Sequence, residues 1–208
     1  MKTNVISSDS QDAINNALDI LSHGGLIAFP TDTVYGVGAL AFDGRAVEAI
    51  YHAKDRPIEK AIPVLIAEAA DMEKVGMHVP EIAHNLAARF WPGPLTCLIP
   101  KKPTLPESVS AYSSVGVRVP DHAVTRALLR AAGPMAATSA NISGGQSPST
   151  AQEVLAQLNG RIALIIDGGK TPGGIPSTVV DCTADELTIV REGPISLEEI
   201  KSKLSSPI

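Results

Sequence analysis

Aromatic residues are scarce in this chain. One Trp, three Tyr and three Phe make up 3% of its 208 residues. The core must therefore be aliphatic, and the rings that RNA-binding surfaces stack under bases are few. Cysteine is rarer still. Cys97 and Cys182 lie far apart in strand-like contexts, LTCLIP and VVDCTAD, which points to two buried, reduced thiols in a cytoplasmic protein rather than a disulfide or a metal site. The histidines (His23, His52, His78, His84, His122) show no HExxH spacing and no cysteine at ligand distance, which excludes a protein-held zinc. No apolar stretch approaches the roughly 20 residues that cross a bilayer, and no basic start followed by an apolar run marks a secretory signal. Positive charge is not in excess. With 17 Lys and Arg against 22 Asp and Glu, the net charge of −5 argues against non-specific nucleic-acid binding as the main business.

Familiar nucleotide and hydrolase loops are missing as well. Gly169-Lys170-Thr171 invites a P-loop reading, but the first glycine of that motif would fall at Leu164, inside an apolar run. No GxGxxG follows a strand and no GxSxG elbow occurs. A nucleotide, if used, is held by other means.

What is present reads as one α/β domain over residues 1–208 with a mixed sheet, its hydrophobic fraction of 44% sufficient for a single core. Residues 1–8 are a lead-in strand or a loose end. Apolar spacing predicts a helix over 13–21, closed by Gly24 and Gly25, and then a strand over 26–29 that Pro30 stops. Asp43 caps a helix that delivers Lys54 and Arg56. Further strands are expected over 62–66, 95–99, 116–119, 134–138 and 163–166, with a late antiparallel pair over 179–181 and 187–190. Helices are expected over 68–76, over 80–90 with Pro80 in the first turn, after Asp121 as cap, after Ser149 or Thr150, and from Ser196 to near Leu204.

The chemistry concentrates in residues 24–57 and at later strand ends. Thr31-Asp32-Thr33, Ser139-Ala140-Asn141 and Ser177-Thr178 each place hydroxyls or amides at the end of a strand, where open α/β sheets bind ligands. Each could equally satisfy a local turn; their recurrence favours a site. Lys54, Arg56 and Lys60 follow one helix, while Arg118 and Arg191 interrupt apolar strands. A half-buried guanidinium needs an anionic partner, which a structural ion pair or a bound phosphate or carboxylate would supply equally well. The glycine-rich stretches 143–145 and 168–174 are lid candidates.

Together these residues resemble the YrdC family of threonylcarbamoyl-AMP synthases. The similarity is carried by FPTDTVYG (29–36), KDRP with the strand after it (54–66), SVGVRVP (114–120), AATSANISGGQSP (136–148), PSTVVD (176–181) and VREG (190–193). The resemblance implies a twisted mixed sheet with a large, positively lined concave cavity, in the family's short single-domain form. It implies an enzyme, a nucleotidyltransferase, that joins L-threonine, bicarbonate or CO2, and ATP to give L-threonylcarbamoyl-adenylate and pyrophosphate, with Mg²⁺ entering on the ATP. A partner transferase then carries the group to the adenosine beside the anticodon of tRNAs reading codons that begin with A.

Carried across by motif, Thr33, Arg118, Ala137 and Ser177 surround the threonine, with Arg118 on its carboxylate. Lys54 and Arg56 are the catalytic pair facing the phosphates. Arg56, Lys60, Ser114, Ser139, Asn141, Ser147 and Arg191 line the nucleotide. Some relatives carry a histidine near the threonine where this chain has Leu65. Two other readings of the same residues are a non-catalytic module for tRNA or ribosomal RNA, and a carbamoyl-transfer enzyme similar to part of the hydrogenase maturation protein. No zinc-finger or acylphosphatase segment accompanies the latter here.

Overall fold

A computed structural model describes residues 2–172, 174–184 and 186–205. Ten strands and seven helices occur among them: β1 (Asn4–Ser7), α1 (Ala13–Ser22), β2 (Ile27–Phe29), β3 (Gly36–Leu40), α2 (Gly44–Lys54), β4 (Val64–Leu65), α3 (Met72–Val75), α4 (Glu81–Phe90), β5 (Leu95–Pro100), β6 (Ser114–Arg118), α5 (Ala123–Ala132), β7 (Met135–Ser139), α6 (Ala151–Leu158), β8 (Leu164–Asp167), β9 (Thr178–Asp181), β10 (Thr188–Arg191) and α7 (Leu197–Leu204). All strands join one mixed sheet in the order β1-β8-β2-β3-β7-β4-β6-β5-β9-β10. Its pairs β1–β8, β8–β2, β4–β6 and β5–β9 are parallel and the rest antiparallel. None of the described helices is long and apolar enough to cross a membrane.

Strand residues alternate between two apolar layers, as the two-residue pleat requires. Ala28, Val64, Val115, Val117 and Ala136 face a layer built with Val47 and Ile50 of α2, Leu86 of α4, Val154 of α6 and Ile200 of α7. Ile27, Phe29, Leu65, Met135 and Ala137 face a second layer, which holds Ala17 and Leu21 of α1 and Leu128 and Leu129 of α5. This second layer is the smaller. Helices α1 and α5 pack on each other and cover the β8-β2-β3-β7 half of that face, and no described helix contributes a buried residue over β6, β5 and β9. The bare half of the face is where the cavity lies.

Local chemistry accounts for the boundaries. Asp43 accepts from the N–H groups of Arg45 and Ala46, Thr150 from Glu153 and Ser196 from Glu199, so each of these caps is real. Asp121 is not a cap. His122 occupies that position in α5, and the Asp121 N–H instead donates to Asp32. Pro80 stands one place ahead of α4. The strand expected over 62–66 shortens to Val64–Leu65. Both cysteines are free and buried; Cys182, then burial itself, push the Cys97 thiol well up.

The expectation misses one whole strand. No strand is expected over residues 36–40, yet β3 runs between β2 and β7 in the middle of the sheet. Glycine weakens strand propensity, but here it permits close approach: a Cβ on Gly38 would lie 2.6 Å from the Ala136 carbonyl oxygen and 3.1 Å from Ala137 Cβ. Gly38→Ala should therefore lower the unfolding free energy by about 1–3 kcal/mol through overpacking. Gly44→Ala, whose Cβ would meet nothing nearer than 3.4 Å at the start of α2, should leave stability level or raise it. Denaturant titration of the two variants side by side checks the contrast.

Candidate active site

A cavity of about 270 Å³ sits on the uncovered half of the sheet. Its floor is one face of five strands read at a spacing of two: Pro63 and Leu65 at β4, Gly116 and Arg118 on β6, Thr96 and Leu98 on β5, Ser177 and Val179 at β9, and Ala137 and Ser139 on β7. Arg56, Thr31, Thr33 and Arg191 complete the rim. Partial helix cover on this face opens the site to mid-strand residues as well as strand ends, and Ser177, expected at the end of a strand, instead stands just before the first residue of β9.

Arg118 ends β6 with only 6% of its surface exposed. Its guanidinium is gripped from three sides. Nε donates to the Gly93 carbonyl at 2.9 Å, Nη1 to the Thr33 hydroxyl at 3.1 Å, and Nη2 to Asp32 Oδ1. Of the two partners left open by the sequence, a structural carboxylate is present, and further N–H donors remain. Thr31 sets Thr33 in place. Its hydroxyl lies 3.0 Å from that of Thr33, donates to the Val34 carbonyl at 2.7 Å and accepts from the Thr33 N–H. Burial lowers the Arg118 pKa and Asp32 raises it.

A second guanidinium reaches the same cavity from β10. Arg191 donates from Nε and Nη2 to the Ser177 carbonyl and from Nη2 to its hydroxyl. The Ser177 hydroxyl also lies 2.8 Å from that of Thr96. The Arg191 pKa is lowered first by burial, then by Arg118 and Arg56, so the three arginines share one field. Arg56 enters because Asp55, at φ 51°, ends α2 in the left-handed region and turns the chain. The Arg56 Nε and Nη2 donate to the carbonyls of Lys60 and Ala61 at 3.1 and 3.0 Å.

Lys54, two residues earlier, does something else. It is 1% exposed and does not line the cavity. Its ammonium donates to the backbone carbonyls of Ser139 and Asn141, while its own carbonyl accepts from the Ser143 N–H at 2.7 Å. Burial, then Arg56, push its pKa down to about 7. Lys54 thus ties the end of α2 to the loop after β7. That loop carries Asn141, whose amide donates to the carbonyls of Ile142 and Gly145 and whose Oδ1 is buried without a partner.

Of the expected site residues, Thr33, Arg118, Ala137, Ser177, Arg56, Ser139 and Arg191 meet around one cavity. Lys54, Lys60, Ser114, Asn141 and Ser147 lie outside its lining: Lys60 is exposed, Ser114 and Ser147 are half-buried, and Lys54 and Asn141 are buried behind it. Leu65, at the position where some relatives carry histidine, is an apolar part of the floor. Sequence reasoning passed over Thr96 and Gly116 and gave Asp32 no role of its own. The alternation in SVGVR, with Val115 and Val117 buried on one face and Ser114, Gly116 and Arg118 on the other, was the signal that could have found Gly116.

Residues 19–193 match the Sua5/YciO/YrdC family profile, described as telomere recombination. The chain belongs to this family. Within it, the threonylcarbamoyl-AMP synthase of Bacillus subtilis (strain 168) is 42% identical over 198 residues, which cover 94% of this chain and 57% of that protein. The Sua5 protein of P. abyssi, solved in complex with L-threonine, superposes with a TM-score of 0.92 at 39% identity, covering 98% of this chain and 61% of that one. E. coli YciO superposes with a TM-score of 0.85 at 29% identity, covering 96% and 98%. The chain therefore spans somewhat over half the length of the first two relatives and almost all of the third.

Lys54→Met removes the donor to two buried carbonyls and should cost about 2–4 kcal/mol of stability. The unfolded chain holds the Lys54 proton up to about 10.4, while the folded chain releases it near 7. Between these values the unfolded state binds more protons, so wild-type stability gains as pH rises through this window. The gap between wild type and Lys54→Met should widen from pH 7 to pH 10, as read by urea unfolding at each pH.

Proposed function

We propose that this chain is an L-threonylcarbamoyladenylate synthase, a nucleotidyltransferase that makes threonylcarbamoyl-AMP and pyrophosphate from L-threonine, bicarbonate or CO2, and ATP. The observation that carries the reading is the meeting of Thr33, Arg118, Ala137 and Ser177 with Arg56, Ser139 and Arg191 around one cavity whose floor mixes polar groups with the apolar Leu65, Leu98 and Val179. An amino acid and a polyphosphate both present anionic oxygens that suit guanidinium forks. The names of the curated relatives and the L-threonine bound to the P. abyssi protein point the same way.

In this reading, threonine binds as the zwitterion with its carboxylate on the unused donors of Arg118, and its ammonium then gives up a proton to solvent so that the amine can take up CO2. Loss of a proton leaves a carbamate. Its oxygen bonds to the α-phosphorus as the bond to the bridging oxygen breaks, and pyrophosphate departs with that electron pair. No side chain need form a covalent intermediate. Catalysis rests on holding the two reactants together and on neutralising phosphate charge. Arg56 and Arg191 are the cavity groups suited to the phosphates. Lys54 contributes by holding the loop of Ser139 and Asn141, and Lys60, Ser114 and Ser147 reach the nucleotide outside the cavity proper. No Asp or Glu lines the cavity, so a Mg²⁺ would be held by the oxygens of the triphosphate it arrives on and would shield their charge, while the cavity arginines bind the remaining phosphate oxygens. The adenylate then passes to a tRNA threonylcarbamoyl transferase.

The test is incubation with ATP, bicarbonate and single amino acids, followed by pyrophosphate release and mass detection of the adenylate. Threonine-dependent pyrophosphate is expected; its absence, with salt-sensitive RNA binding in its place, would support the non-catalytic reading instead. Arg56→Ala should reduce kcat/KM about 100-fold or more with the thermal unfolding curve unchanged, because its structural bonds are only two loop carbonyls. Activity at the wild-type level would remove Arg56 from the site.

A further inference from the structure

Asp32 is the one carboxylate paired with a cavity guanidinium among the described residues. Its Oδ1 accepts from both Arg118 and the Asp121 N–H, the latter at 3.1 Å. Its Oδ2 is buried and has no partner. An asparagine would serve the same two donors through its own Oδ1. Hydrogen bonding therefore does not explain why a full charge sits here with one oxygen buried and unpaired, a costly arrangement. The charge itself needs a role. Arg56 and Arg191 carry no counter-ion of their own among the described ion pairs, and Arg118 adds to their field. Asp121 and His122 also border Asp32.

We propose that Asp32 is a specificity-determining residue: by neutralising Arg118 it makes the carboxylate subsite favour a net-neutral amino acid over a net anion. This rests on the reading that Arg118 receives an amino acid's carboxylate. A lone buried guanidinium attracts every small anion, including acetate, phosphate and the bicarbonate that the proposed reaction consumes. With a carboxylate already on one edge, a ligand's carboxylate gains hydrogen bonds at the remaining N–H groups but little net Coulomb energy. An anion lacking the amino group then has nothing to offset the repulsion from Asp32, which is discrimination by a built-in unfavourable term.

Calorimetric titration of wild type and Asp32→Asn with L-threonine and with 3-hydroxybutyrate, its anionic analogue without the amino group, tests the assignment. Wild type should bind threonine more tightly than 3-hydroxybutyrate by about tenfold or more. In Asp32→Asn that ratio should fall by about tenfold, with acetate becoming a competitor. Asp32→Glu, which keeps the charge, should retain the wild-type preference. An unchanged ratio in Asp32→Asn overturns the role of Asp32 while leaving the amino-acid site in place. If Asp32→Asn does not fold, the wild type still decides, since near-equal binding of threonine and 3-hydroxybutyrate, or displacement of threonine by acetate, overturns the proposal. Wild type that binds neither compound removes the amino acid from Arg118, and the proposal falls with that reading.

Discussion

A guanidinium held almost out of water at the end of an apolar strand must find partners, and Arg118 finds three of them in two separate parts of the chain. Gly93 supplies a carbonyl from the turn before β5, Thr33 a hydroxyl and Asp32 a carboxylate from the loop after β2. Without these bonds the charge would be costly to bury. With them, two loops distant in sequence are pinned to β6, and the floor of the cavity acquires its first cation. Thr31 and Thr33 look like a polar tripeptide in sequence, but in the fold they are the bracket for this group.

Lys54 plays the matching part on the other side of the sheet's midpoint. Its ammonium and its own carbonyl together hold the loop from Ser139 to Ser143 against the end of α2. Arg56, two residues on, points into the cavity instead, because Asp55 turns the chain between them. Two neighbouring cations of one motif thus have different surroundings, one tied to protein carbonyls and the other lining a site. Arg191 and Ser177 close the remaining side and tie the last strand pair to the Thr96 hydroxyl of β5.

How much of this was legible depends on whether the signal was local. Helix caps at Asp43, Thr150 and Ser196 were readable because a cap is a relation among four consecutive residues. The β9–β10 pair was readable for the same reason. Strand β3 was not, since two glycines in five residues contradict strand propensity, and only tertiary neighbours explain them: the Phe29 ring of β2 at Gly36 and the close passage of β7 at Gly38. The cap assigned to Asp121 failed because α5 begins at Ala123, which puts His122 and not Asp121 at the cap position. Arg118 was identified as needing a partner, but the choice between a ligand and a structural carboxylate needed the fold.

The sequence by itself determined that this is an α/β chain with an aliphatic core, which motifs it shares with its family, and which side chains are able to bind anions. Those are properties of composition, periodicity and short spacing. Tertiary structure decided the rest. It left part of one sheet face without a helix over it among the described residues, so that residues alternating along five strands became a cavity floor. It sent Lys54 to backbone carbonyls and Arg56 to the cavity. It also set a full negative charge against Arg118. Each depends on groups tens of residues apart meeting in a low-dielectric interior, where burial makes the choice of partner energetically decisive.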